Sequence, residues 1–169
     1  YENPTVEEYS RFTYAEFNFI IAEAAVRGWI TADAETYFKK GVEASMKFFG
    51  VTDVQITDYY TNASTAFVGT SDKNKAITQI NMEKWVAYFM NSSYEAYYNN
   101  RRLKVEGIGP NNDGVPQFRM GPDFYRDQMP MRWLYPQNEY FSNADNVEDA
   151  VKSQFGKDTE TLFDLMWIL

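Results

Sequence analysis

Apolar residues recur every three to four positions across 13–28, at Phe17, Ile20, Ile21, Ala24 and Ala25, and this spacing predicts a helix. Gly28 supplies its C-terminal stop. Thr31 or Asp33 then offers a capping oxygen to a second helix over 34–49. Its apolar positions are Tyr37, Phe38, Val42, Met46 and Phe49, and Gly50 ends it. Two such helices with a short link make an αα-hairpin, close in size to the roughly 34-residue tetratricopeptide unit.

A short helix is expected over 52–60 and a loop over 61–73, which is rich in Thr, Ser, Asn and Gly. A third long helix is predicted over 75–90, with Ile77, Ile80, Trp85, Val86 and Phe89 inward and Trp85 in the core. A fourth follows over 94–103. Beyond it, glycines and prolines from Gly107 to Pro136 interrupt regular structure, while Phe118, Phe124, Tyr125, Trp133 and Tyr135 argue for order. The expectation is one all-α domain over 1–169. It would hold tetratricopeptide-like helical hairpins at 13–50 and 73–104, a long irregular loop region at 105–142, and a short terminal helix with its tail at 143–169.

Composition narrows the chemistry. A formal charge of −8 disfavours nucleic acid. With no Cys and no His, disulfides, thiolate metal sites, cysteine nucleophiles and the usual neutral-pH base are excluded. No cofactor or metal is expected, since 111–114 (Asn-Asn-Asp-Gly) lacks the spacing of a calcium loop and reads as a turn. Asp123 and Asp127 could pair by spacing as glycosidase carboxylates, but nothing marks either for a raised pKa, and they read as solvated loop acids. No apolar run approaches the roughly 20 residues that span a bilayer. The opening Tyr1-Glu2-Asn3-Pro4 carries no basic or apolar leader, so no signal peptide is expected in the chain as it stands. Aromatic residues make up 18% of the sequence, enough for a ring-built core with rings left over for a ligand surface.

Four blocks carry a family resemblance. They are AEFNFIIAEAAVRGWI at 15–30, YFKKGVEASMKFFGV at 37–51, INMEKWVAYFMNSSYEAYYNNRR at 80–102 and MPMRWLYPQNEYFSNADN at 129–146. In this order and spacing the chain resembles the SusD/RagB-type nutrient-binding outer-membrane lipoproteins of Bacteroidetes. Glu83 stands where the family usually has Gln, and Tyr97 where it has Trp. The resemblance implies the C-terminal part of a longer surface protein, lipid-anchored in its missing N-terminal part. Such a protein captures a glycan or other nutrient and hands it to a SusC-like TonB-dependent transporter, without catalysis. A part of this kind would expose apolar surface where the remainder packs. The alternatives are a tetratricopeptide-like protein-interaction scaffold and a carbohydrate hydrolase.

Residues outside or at the margins of the matched blocks are the ligand candidates: Tyr59, Tyr60, Phe118, Phe124 and Tyr125 as rings, with Asn62 and Asp123 as polar partners. Structural roles are expected for Trp85 and for Arg132, Tyr135 and Pro136 of the fourth block. Glu23 and Arg27 stand i, i+4, and Arg101 and Arg102 end the fourth helix. The alanine-rich face around Glu23 favours a buried, structural pair with one of these arginines.

Overall fold

The computed structural model describes residues 12–116 and 130–166. Among the described residues the protein is all-α, with seven helices and one 3-10 turn. They fall into two compact units that divide between Gln117 and Phe118.

In the first unit, α1 (Tyr14–Arg27) starts where the Thr13 hydroxyl accepts the Glu16 amide at 2.9 Å. It ends at Gly28, whose φ of 78° lets its N–H turn back to the last carbonyls. Asp33 caps α2 (Ala34–Phe48) at the Thr36 amide, 3.0 Å away. A reciprocal Thr52–Gln55 capping box opens α3 (Asp53–Thr61). Asp72 caps α4 (Lys73–Ala87), and α5 (Ser93–Val105) follows after a short link. A 3-10 turn occupies Pro110–Asn112.

Helix α1 packs on both α2 and α4. The core joins Phe19, Ala22 and Val26 to Phe38 and Val42 of α2, Ile77 and Ile80 of α4, and Leu103 of α5. Close approach of α1 and α2 depends on Gly41, because a Cβ there would sit 2.7 Å from the Phe19 ring.

The structure refines the sequence reading at two places. Of the apolar positions whose spacing predicted the first helix, Phe17 and Ile20 are 44% and 43% exposed. The buried stripe is Ala15, Phe19, Ala22 and Val26, because the small residues let neighbouring helices approach. Trp85 was expected in the core and is 43% exposed, with Val86 and Phe89 also outside. The inner face of α4 instead continues through Asn81, Lys84 and Ala87.

That face is polar because it completes a buried network. Asn81 Nδ2 donates to Glu23 at 3.0 Å, and Arg102 grips the same carboxylate with both Nη atoms at 2.7 and 2.9 Å. Arg27 Nε donates to it from the next turn of α1 at 2.7 Å. Asn99 bridges Asn81 and Arg102. One layer away, the Tyr88 hydroxyl donates to Glu16 at 2.8 Å. Burial pushes the Lys84 ammonium below its ordinary pKa, against the nearby Glu16 carboxylate. Arg101 lies outside the network, with its guanidinium 5.8 Å from the centre of the Tyr97 ring.

The second unit holds α6 (Gln137–Ser142), which begins after Pro136, and α7 (Ala144–Phe155). Arg132 and Glu160 form a buried ion pair at its centre. The Arg132 guanidinium lies 5.3 Å from the Tyr135 ring centre and 4.6 Å from that of Phe155. Glu160 also accepts the Tyr135 amide at 2.9 Å and the Tyr140 hydroxyl at 2.7 Å.

Candidate functional site

The sequence-derived ligand candidates that fall on described residues cluster at the end of α3. The Tyr59 hydroxyl donates to Glu83 Oε1 of α4 at 2.6 Å. The neighbouring Tyr60 turns the other way and donates its hydroxyl to the Lys39 carbonyl of α2. Burial pushes the Tyr60 phenol up to about 12, and it raises the Tyr59 phenol too, with help from the Glu83 carboxylate. Asn62 Oδ1 accepts both the amide and the hydroxyl of Ser64, at 2.9 and 2.7 Å, which closes the turn after the helix. Phe118, Asp123, Phe124 and Tyr125 lie outside the described residues, as does Asp127.

Tyr59 and Asn62 thus hold two residues, Glu83 and Ser64, that line a groove of about 690 Å³. One wall is the loop after α3, the floor is α4, and the other wall is the turn around Pro110. Two amides on α4 fix the walls. Gln79 Nε2 donates to the Thr65 and Ala66 carbonyls at 3.3 and 2.8 Å, and its Oε1 accepts the Val68 amide at 2.9 Å. Asn74 donates to the Gly107 carbonyl at 3.0 Å and accepts the Gly109 amide at 3.3 Å. Between them the lining offers hydroxyl, amide and carboxylate groups beside the short apolar strip of Val68, Met82 and Pro110. Burial raises the Glu83 carboxyl above its ordinary range, and the Tyr59 hydroxyl pulls it partly back. Such a lining can hydrogen-bond a polyhydroxyl ligand while packing on its C–H faces.

Sequence reasoning missed Asn74, Gln79 and Glu83. Their signal was the run of polar positions Lys75, Thr78, Gln79 and Glu83, which lies beside the buried stripe of α4. Gln79→Ala is expected to cost about 1–2 kcal/mol, since three backbone groups lose their partner. It should also speed hydrogen exchange at the Val68 amide, and an unchanged Val68 rate would show that Gln79 does not hold that wall.

A second cleft, of about 550 Å³, has a different character. Phe12, Tyr14, Phe48 and Phe49 line it and are all at least 46% exposed. Phe89 continues this ring-rich surface, 6.5 Å from Phe49 between ring centres. Among the described residues, no group of three or more acidic side chains is placed to hold a metal ion. No described helix is long and apolar enough to cross a membrane.

The family model of SusD-like proteins, described as starch-binding and associating with the outer membrane, matches residues 2–136. A SusD homologue from Bacteroides fragilis superposes with a TM-score of 0.78 at 31% identity, over 96% of this chain and 35% of that one. A second SusD homologue from the same species gives 0.71 at 31% identity, over 92% of this chain and 34% of that one. A chitin-binding protein gives 0.62 at 26% identity, over 90% and 33% respectively. This chain therefore spans about a third of the length of these solved structures. A search of curated proteins finds no match.

Proposed function

The chain belongs to the SusD-like family, and from that premise we propose that it serves in the capture of a glycan at the outer membrane. The groove on α4 is the observation that carries this reading. It presents Thr78, Gln79, Glu83 and Asn112 around an apolar strip, the pairing of polar edge and C–H face that a sugar offers. The match to a starch-binding family and the likeness to a chitin-binding protein support the same ligand class.

The finer picture is a lipid-anchored surface protein that binds its ligand reversibly and passes it to a SusC-like TonB-dependent transporter. Catalysis has no part in it. Of the two acids lining the groove, Asp72 is occupied in capping α4 and pairing with Lys75, and Glu83 holds the Tyr59 hydroxyl. Tyr59 and Asn62 act here by shaping the groove's edge, while Phe118, Asp123, Phe124 and Tyr125 remain direct-contact candidates. Tyr60 is tied to α2 and belongs to the frame.

A panel of oligosaccharides titrated onto the protein tests the proposal. At least one should bind, and Tyr59→Ala should weaken it about tenfold, or about 1.4 kcal/mol. Absence of any binding at millimolar concentrations would remove the glycan reading. The ring-lined cleft favours a second role, protein docking, for the face that carries Phe12, Tyr14, Phe48 and Phe49.

A further inference from the structure

We infer that the α4 groove selects by charge, admitting neutral or cationic glycans and rejecting anionic ones, with Glu83 as the specificity-determining residue. This rests on the glycan-capture reading and names the ligand class of that same groove.

Among the described residues, three ionisable side chains line the groove: Asp72, Lys75 and Glu83. The first two cancel each other. Lys75 Nζ lies 3.2 Å from Asp72 Oδ2, while Asp72 Oδ1 accepts the Lys75 amide at 3.1 Å. Among the described lining residues this leaves Glu83 as the unbalanced charge, so the groove is net negative toward a ligand carboxylate or sulfate.

Glu83 is different. It is half-buried, and among the described residues it has no cationic partner. One oxygen takes the Tyr59 hydroxyl at 2.6 Å, and the other has no protein donor among the described residues. That second oxygen is an open acceptor for a ligand hydroxyl or ammonium. A half-buried carboxylate repels a ligand anion more strongly than a fully exposed one would. Thr78, Gln79 and Asn112 are neutral, and Lys75 already faces Asp72, so the described lining keeps one net negative charge. The walls cannot simply swing away, because Asn74 and Gln79 bind them to α4 through backbone groups.

The test compares three panels of similar length on the 169-residue chain. Malto-, xylo- and chito-oligosaccharides are neutral, glucosamine oligomers are cationic, and oligogalacturonates are anionic. The best neutral or cationic probe should bind at least about tenfold more tightly than the anionic ones. Glu83→Gln keeps an acceptor for the Tyr59 hydroxyl and removes only the charge. It should narrow the gap between the best neutral probe and the anionic ones about tenfold, whatever it does to neutral binding itself. Oligogalacturonate binding as tight as neutral binding overturns the inference while leaving glycan capture standing, as does full discrimination persisting in Glu83→Gln. If no panel binds, both readings fall together. The wild-type comparison decides the first half even if the variant folds poorly.

Discussion

Glu23→Ala is expected to destabilise the first unit by about 3 kcal/mol. The loss is not the value of one ion pair. Arg102 is 38% exposed at its side chain, so water can take over much of its charge. Asn81 is fully buried, and its amide loses an acceptor that nothing else replaces. Arg27, at 15% side-chain exposure, loses one of its two carboxylate partners and keeps Glu106. The pH dependence follows from the same contacts. Burial alone would raise the Glu23 carboxyl, but Arg102, Asn81 and Arg27 outweigh it and hold the pKa below the ordinary value. A depressed folded pKa means that the unfolded chain takes up the proton first. The stabilisation is therefore present above the unfolded value and is lost as the pH falls through the folded one. Urea melts of wild type, Glu23→Ala and Glu23→Gln should show a steeper acid-side slope in wild type than in either variant. A neutral-pH loss below about 1 kcal/mol for Glu23→Ala would mean that the carboxylate behaves as an exposed surface pair.

The longer helices were legible in the sequence, while α6 falls inside the expected loop region at 105–142, and the inward faces were legible only partly. Caps and stops are local chemistry, so Asp33 and Gly28 bound their helices as read. Helical phase is a tertiary property. Helix α1 is apolar around most of its circumference, and periodicity alone could not choose between the Phe17–Ile20 side and the Phe19–Ala22 side. The choice was made by what packs there, including Gly41 of α2 and the polar side chains of α4. Trp85 was misplaced for the same reason: hydrophobicity suggested the core, but Asn81 and Lys84 occupy the inner face because buried partners await them. The groove was the least legible part. Tyr59 lies beside it through Glu83, yet the walls depend on Gln79 and Asn74 reaching backbone groups up to 35 residues away. Such side-chain-to-backbone bonds leave no periodic trace.

Phe19→Ala is expected to cost about 3–5 kcal/mol, the largest single loss in the first unit. Phe19 is 1% exposed and meets Phe38 edge-on, with ring centres 6.3 Å apart, while Phe38 in turn lies 5.0 Å from Phe67. Removing the Phe19 ring opens a void against Phe38. At the closest approach of α2 to that void stands Gly41, which has no side chain to refill it. Gly41→Ala alone should also destabilise, by about 1–2 kcal/mol, because its methyl would meet a ring fixed on its other side. The gain of about 1 kcal/mol in helix propensity offsets part of that clash. In Phe19→Ala the same methyl enters vacated space. The double variant should then be more stable than the two losses predict, by about 1 kcal/mol or more. Denaturant melts of the four proteins measure this coupling. Simple additivity within about 0.5 kcal/mol would show that the ring and the glycine do not share one packing site.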